Sequence, residues 1–375
     1  MEPRPPRPRR PLSQILPDFP WDTLAEAKAR AAAHPGGIVD LSVGTPVDPV
    51  APLIQDALSA AAFEPGYPAT AGTARLRESV IDALDRRYGV TGIAESAVLP
   101  VIGTKELIAW VPTLLGLDGA DTVVVPELAY PTYEVGARMV GAHVLRSDSL
   151  VQLGPLSPAV LFLNSPANPT GRVLGVDHLR KVVEWARERG VVVISDECYI
   201  GLSWEADPVS VLHPSVCGGD HTGLIAVHSL SKSSSLAGYR AGFVAGDAGL
   251  VAELLAVRKH LGMIVPTPVQ AAMVAALDDD AHEREQRNRY ARRRAALLAA
   301  VRSAGFDVDH SDAGLYLWST RGEPCRQTLN WLAGLGILVA PGEFYGPAGG
   351  RHVRIALTAT DERIDEAVAR LEAAH

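Results

Sequence analysis

Short, uninterrupted apolar runs alternate with helix-like patterns from about residue 98 to residue 246. The runs cover residues 98–102, 122–125, 159–163, 191–195, 224–228 and 242–245. They are continuous rather than alternating, as strands covered on both faces are. Between them, residues 178–190 put Leu179, Val182, Val183 and Ala186 on one face of a helix, and Gly190 fits its stop position. Residues 75–88 repeat the pattern with Leu76, Val80, Ile81 and Leu84, followed by Gly89. Strand and helix in alternation predict an α/β fold with a mostly parallel sheet between helices.

The pattern changes near Pro266. Residues 268–277 and 281–304 read as helices, the second long and laced with charge; residues 314–318, 336–340 and 352–357 read as shorter strands. This assigns residues 46–275 to a large domain and 276–375 to a smaller α+β domain, which residues 21–45 join from the N-terminal side. Residues 1–20 read as a disordered tail. The first eleven, rich in proline and arginine, suit neither a helix nor a paired strand. No apolar run follows Arg9-Arg10, so an export signal is not expected.

Composition narrows the partners. The chain has 375 residues, 47% of them hydrophobic, enough to bury a large core. Lys and Arg number 35 against 43 Asp and Glu, and the net charge of −8 weighs against nucleic acid. The most apolar stretch, residues 107–117, contains Pro112 and is too short to span a bilayer, so no membrane partner is expected. Cys198, Cys217 and Cys325 are widely spaced, which argues against a metal site, and their odd number fits reduced thiols in a cytoplasmic protein.

Ligands of open α/β sheets sit beyond the carboxyl ends of the strands, so the polar residues after each run carry the candidate chemistry. Residues 229–243 set Lys232 among Ser229, Ser231 and other small residues, with Arg240 eight positions on. Hydroxyls and a guanidinium suit a phosphate dianion. An amine beside them points to a phosphorylated aldehyde held as a Schiff base, pyridoxal phosphate (PLP). A solvated lysine in a serine-rich loop is the alternative. Asp196 ends the run at 191–195, and Tyr199 follows three residues later. The carboxylate suits a protonated pyridine nitrogen and the phenol suits the ring's phenolate oxygen; a helix N-cap is the plainer reading of Asp196. Asn168 stands in the rigid turn Asn-Ser-Pro-Ala-Asn-Pro-Thr-Gly and is a second donor to that oxygen. Gly103, Thr104 and Lys105 lie at a strand-to-helix junction, where free backbone N–H groups favour phosphate. Tyr130 and Tyr133 follow the run at 122–125; either face could stack on a pyridine ring, and core packing explains either equally well. The Arg-Lys-His run at 258–260 reads as a solvated helix face, with an anion site as the alternative.

Taken in order, these segments resemble the class I/II aminotransferases of PLP-dependent fold type I, from about Asp40 to the end of the chain. The resemblance implies a large domain with a mostly parallel seven-stranded sheet, a smaller α+β domain, PLP as cofactor, amino-acid and keto-acid substrates, and a homodimer. By matching position it implies that Lys232 binds the cofactor aldehyde and later shuttles a proton. Asp196 then pairs with the pyridinium, Asn168 and Tyr199 bind the phenolate oxygen, and Tyr130 stacks on the ring. Gly103, Thr104, Lys105, Ser229, Ser231 and Arg240 hold the phosphate, joined by Tyr67 from the neighbouring subunit. Arg354 clamps the substrate α-carboxylate, with Gly44 lying over it and Asn168 beside it.

The segments Trp21-Asp-Thr-Leu-Ala, Leu41-Ser-Val-Gly-Thr-Pro-Val-Asp-Pro-Val and His228-Ser-Leu-Ser-Lys-Ser-Ser-Ser are similar to actinobacterial N-succinyldiaminopimelate aminotransferases. This implies amino-group exchange between glutamate and a succinylated 2-amino-6-ketopimelate in lysine and diaminopimelate biosynthesis. The distal-carboxylate arginine of aspartate aminotransferases has no obvious counterpart, which argues against plain aspartate specificity. A general aminotransferase, or a β-lyase or decarboxylase on the same fold, would share every cofactor residue. A PLP-sensing domain would normally carry a DNA-binding module, for which the chain has no room outside its tail. A nicotinamide enzyme would need GxGxxG after its first strand, and the chain has none there.

Overall fold

The protein is described by a computed structural model over residues 11–374. Seven strands build the central sheet: β1 Val98–Ile102, β2 Thr122–Val125, β3 His143–Arg146, β4 Val160–Asn164, β5 Val192–Asp196, β6 Leu224–Ser229 and β7 Ala241–Gly246. Their spatial order is β1-β7-β6-β5-β4-β2-β3. All neighbours are parallel except β7, which runs antiparallel to both β1 and β6.

The continuous apolar runs follow from burial on both faces. Val124, Leu161, Leu163, Val193 and Ala226 point into one core, with Leu76 and Leu84 of helix α1 (Ala74–Tyr88). Val123, Val125, Phe162, Ile194 and Val227 point into the other, with Leu107 and Val111 of α2 (Thr104–Leu114) and Tyr133 of α3 (Thr132–Val140). Successive residues thus serve opposite cores, and polar side chains gather at the carboxyl ends of the strands, as with Asn164, Ser195, Asp196 and His228. Helix α4 (Val176–Arg189) covers the first face with Leu179, Val182 and Val183. Only β3 has no counterpart among the apolar runs. It is a four-residue edge strand with polar ends, His143 and Arg146, and none of its residues is fully buried.

The reversal of β7 brings two cationic residues together. Lys232 lies in α5 (Leu230–Ser233), directly past the carboxyl end of β6. Because β7 runs backwards, its first residue lies at that same edge, and Arg240 stands just before it. One short connection therefore places a lysine and an arginine at the same end of the sheet.

The second layer is a four-stranded antiparallel sheet in the order Ala340–Pro341, Val353–Ala356, Tyr316–Thr320, Asp307–Asp309. The 23-residue helix α6 (Ala281–Ser303) packs on it, together with Asp361–Ala373. The run expected as one strand over 336–340 splits between two sheets. Ile337–Leu338 pairs in parallel with Val39–Asp40, and Ala340–Pro341 joins the four-stranded sheet. Leu24, Ala31, Val39 and Leu41 share a core with Leu297, Leu317 and Ile355. Residues 11–20, expected within a disordered tail, instead carry a 3-10 turn at Leu12–Gln14, and the Phe19 ring lies 5.5 Å from Trp21. Proline limits regular structure there, but two adjacent aromatics give the segment something to pack. The rest of that expectation, residues 1–10, lies outside the described residues.

A buried ion cluster ties the layers together. Arg293 of α6 donates to both Asp48 oxygens at 2.6 and 2.8 Å, and its Nε to Asp361 at 2.6 Å. Burial alone would raise the Asp48 pKa; hydrogen bonds from Arg293 and Gln286 and the charges of Arg293 and Arg289 outweigh it and hold the carboxyl below its ordinary value. Asp48→Asn is expected to cost about 3 kcal/mol of unfolding free energy at neutral pH, because Arg293 stays buried with Asp361 alone. The folded-state pKa is depressed, so this contribution is complete above the unfolded value and disappears as pH falls through the folded one. Urea titrations should therefore find the gap between wild type and variant at pH 7 and find it closing below about pH 4.

Candidate active site

Every site residue singled out from the sequence except Gly103, Tyr67 and Tyr133 lines one cavity of about 730 Å³, at the carboxyl end of the central sheet. The second layer closes its other side through Tyr316, Leu338 and Arg354. The Lys232 amine points into this space and donates to the Gly44 carbonyl. Burial above all pulls its pKa down to about 8; Cys198 opposes this, and the positive charges of Arg354 and Arg240 add to the lowering by less. The amine is thus neutral in a useful fraction near physiological pH, as a nucleophile or proton carrier must be.

Asp196 ends β5 and is buried. Its Oδ2 accepts from the Tyr133 hydroxyl at 2.6 Å and its Oδ1 from the Cys198 backbone N–H at 3.2 Å. Burial raises its pKa, partly offset by these hydrogen bonds, and the neighbouring Glu197 adds to the rise. Among the described residues no cation pairs with it. A carboxylate so held is completed by a cationic donor arriving in the cavity.

Arg354 is the opposite case. It is 2% exposed, and no carboxylate among the described residues pairs with it. Its Nη2 donates to the Ser42 carbonyl at 2.8 Å and its Nη1 to Asn168 Oδ1 at 2.9 Å, and its Nε has no partner. The guanidinium lies 3.9 Å from the Tyr316 ring centroid and 5.0 Å from that of Tyr345. Aromatic faces host a cation without neutralising it. Because Asn168 Oδ1 is engaged, its amide N–H groups are the free end. Asn164 fixes that turn, accepting from the Asn168 N–H at 2.7 Å and donating to the Asp196 carbonyl at 2.9 Å.

The Tyr199 and Tyr316 hydroxyls are 3.0 Å apart. Burial, then Tyr316, drives the Tyr199 pKa well above the ordinary phenol value, so it stays a donor. Gly44 passes directly under this pair; a side chain there would collide with the Tyr316 hydroxyl.

The fit of a phosphate is legible at Gly103, which has φ 78° and precedes α2 with no side-chain cap on the helix's first N–H groups. A Cβ at Gly103 would run into the Arg240 guanidinium, so the glycine keeps open a cradle between helix N-terminus and arginine. Ser229 Oγ accepts the Ser231 N–H at 3.1 Å, which leaves its own proton free to donate. Phosphate, aldehyde and pyridine nitrogen each find fitting groups here. Tyr130 lines the cavity with its ring 6.0 Å from and nearly perpendicular to Tyr133.

Several roles at the site carry no signal in the sequence. Tyr316 looks like any strand aromatic until its hydroxyl is seen on Tyr199, and Tyr133, expected as a ring that could stack, does not line the cavity and instead donates its hydroxyl to Asp196. Phe19, Trp21 and Lys28 also line the cavity, and the Lys105 ammonium lies 5.4 Å from the Phe19 ring. Nothing in the N-terminal sequence separates these from packing residues. The solvated-face reading of residues 258–260 fails at Arg258, which is fully buried and grips both Glu106 oxygens at 3.0 and 3.2 Å. Tyr67 is fully exposed and away from this chain's cavity.

Comparisons with known proteins agree with this geometry. Residues 37–371 match the family described as Aminotransferase class I and II. The chain is 79% identical over 360 residues to a Mycobacterium tuberculosis protein named "Probable aminotransferase Rv1178", covering 96% of this chain and 86% of the relative. It is 59% identical over 356 residues to the 4-dedimethylamino-4-oxo-anhydrotetracycline transaminase OxyQ of Streptomyces rimosus, covering 95% and 99%. A solved Thermus thermophilus structure described as a probable N-succinyldiaminopimelate aminotransferase superposes with a TM-score of 0.85 at 28% identity, covering 95% of this chain and all of the other. The chain therefore belongs to the class I and II aminotransferases, PLP-dependent enzymes of fold type I.

Proposed function

We propose that this aminotransferase exchanges an amino group between glutamate and a succinylated 2-amino-6-ketopimelate, a step of lysine and diaminopimelate biosynthesis. The observation that carries the reading is the distribution of charge around the cavity. Arg354 offers a buried clamp for an α-carboxylate, and among the described residues the lining also carries Lys28 and no arginine besides Arg354 and Arg240. Trp21, also in the lining, has a buried Nε1–H without a partner. A long acceptor with an amide and further carboxylates suits spread donors of this kind better than aspartate does. The Thermus likeness supports this substrate class. The 59% identity to OxyQ supports a second reading, a bulky ketone acceptor.

When bound, PLP supplies an aldehyde that takes the amino group and a ring that accepts the electrons left at Cα. In our reading the chain does the rest. Arg354 binds the α-carboxylate as a bidentate pair and Asn168 braces the guanidinium. Lys232 Nζ takes the Cα proton and later returns one. Asp196 keeps the pyridine nitrogen protonated, while Tyr133 and Cys198 hold its carboxylate in place. Tyr199 and the free Asn168 amide donate to the phenolate oxygen. Gly103, Thr104, Lys105, Ser229, Ser231 and Arg240 take the phosphate. The exposed Tyr67 completes the phosphate site of a partner subunit, which makes the working unit a homodimer.

Capture of added PLP by the apoprotein, followed as visible absorbance, should rise with pH to a half-maximum near the Lys232 pKa of about 8. It should be absent in Lys232→Ala, although that variant still binds PLP. Borohydride fixation and peptide mapping locate the bond, and a label on another lysine refutes the assignment.

Asp196→Ala should lose roughly 100-fold or more in kcat while its far-ultraviolet spectrum stays native, since a neutral pyridine is a poor electron sink. A drop below about tenfold would leave Asp196 as a structural cap.

An amino-acceptor panel read as half-reactions decides the substrate. The succinylated acceptor should exceed oxaloacetate by about 100-fold or more in kcat/KM. Lys28→Met should cut its kcat/KM by about 10- to 100-fold and leave pyruvate unaffected, because one charge-assisted contact is lost. Oxaloacetate at parity withdraws the lysine-pathway reading, and a preference for a polycyclic ketone replaces it with the second.

A further inference from the structure

A second constellation lies behind the lysine. Ser234 Oγ is 2.9 Å from His282 Nε2, and His282 Nδ1 is 2.7 Å from Asp279 Oδ2. This is the connectivity of a serine–histidine–aspartate triad. Ser234 is only 3% exposed and does not line the active-site cavity, so its hydroxyl is not reachable by an acyl substrate.

The arrangement sits between two elements that must keep a fixed relation. On one side, the Ser234 N–H closes onto the Leu230 carbonyl at 3.1 Å and ends α5, the four-residue turn that carries Lys232. On the other, Asp279 also accepts the His282 backbone N–H at 2.8 Å and so caps the first turn of α6. That first turn is bound to α1 through Arg86 to Asp280 at 2.8 Å, Arg87 to Asp280 at 2.7 Å and Arg87 to Glu283 at 2.5 Å. A single helical turn has no stability of its own and holds its shape only through such anchors.

We propose that His282 is a positioning residue for Lys232. Asp279 Oδ2 accepts a hydrogen bond from Nδ1–H and thereby fixes the tautomer. Nε2 then accepts from Ser234 and pins the carboxyl end of the lysine turn to the fixed start of α6. The inference rests on Lys232 being the residue that engages the cofactor.

Ser234→Ala and His282→Asn both delete the serine–imidazole bond, whereas His282→Gln keeps a polar group at the Nε2 position. Apoprotein of the first two should capture added PLP about 10- to 100-fold more slowly, since a displacement near 1 Å costs that much. Their kcat should fall by a similar factor with KM unchanged, and His282→Gln should keep most of the capture rate. Capture and kcat within about twofold of wild type in both deletions would overturn the proposal, whatever the change in melting temperature. Labelling of Ser234 by a fluorophosphonate would overturn it too, by revealing an accessible nucleophile. Should His282→Asn not fold, Ser234→Ala removes one hydroxyl and reads the same bond. Failure of the Lys232 assignment is separately visible, because borohydride would then mark a different lysine in the wild type.

Discussion

Asp196 and Arg354 are buried, oppositely charged, and each without a counterion among the described residues. Removing an ion from water costs several kcal/mol even after relaxation, so a fold carries such groups only when its other polar atoms hold them. Much of the site's architecture is a response to that cost. Tyr133 and the Cys198 N–H are committed to Asp196; the Ser42 carbonyl, Asn168 and two tyrosine rings are committed to Arg354. The two charges come from different layers, and the cavity is the space between them. A zwitterionic occupant, cationic where it meets the sheet and anionic where it meets the second layer, completes both at once.

Strand direction decides which side chains share that space. A purely parallel sheet would require a long crossover between β6 and β7 and would carry Arg240 to the opposite edge. The antiparallel β7 keeps it beside Lys232. The same reversal brings β1 alongside β7, and the residue after β1, Gly103, meets the Arg240 guanidinium at the start of α2. An open pocket of N–H donors and a guanidinium, of a kind that suits an anion, thus arises from topology and one missing side chain.

The large domain was legible because double burial writes itself as continuous apolar runs, and two of the six predicted strands coincide with the observed ends. Lys232, Asp196, Asn168 and Arg240 were legible because polar residues after such runs have few reasons to be there. Tyr316 and the role of the Tyr133 hydroxyl were not, since a phenol in a packed element reads as apolar until its hydroxyl meets a partner from a distant segment. The edge strand β3 lacked the signal because none of its side chains is fully buried, unlike those of the other edge strand β1. Arg258 misled for a related reason: its burial depends on Glu106, 152 positions away, and no local pattern encodes that pairing. Phe19, Trp21 and Lys28 reach the cavity only because the chain folds its N-terminal segment against the second layer.

Helix α6 runs unbroken for 23 residues, from an end bound to α1 to a body buried against the second sheet. At 1.5 Å per residue it is a rod of about 34 Å. Such a rod acts as a lever whose fulcrum lies at Asp279 and Asp280. A tilt of about 3° carries its far end by about 2 Å, the scale on which a guanidinium gains or loses a carboxylate. Small adjustments at the fulcrum, one hydrogen bond from the turn that carries Lys232, are therefore magnified in the second sheet against which the helix packs.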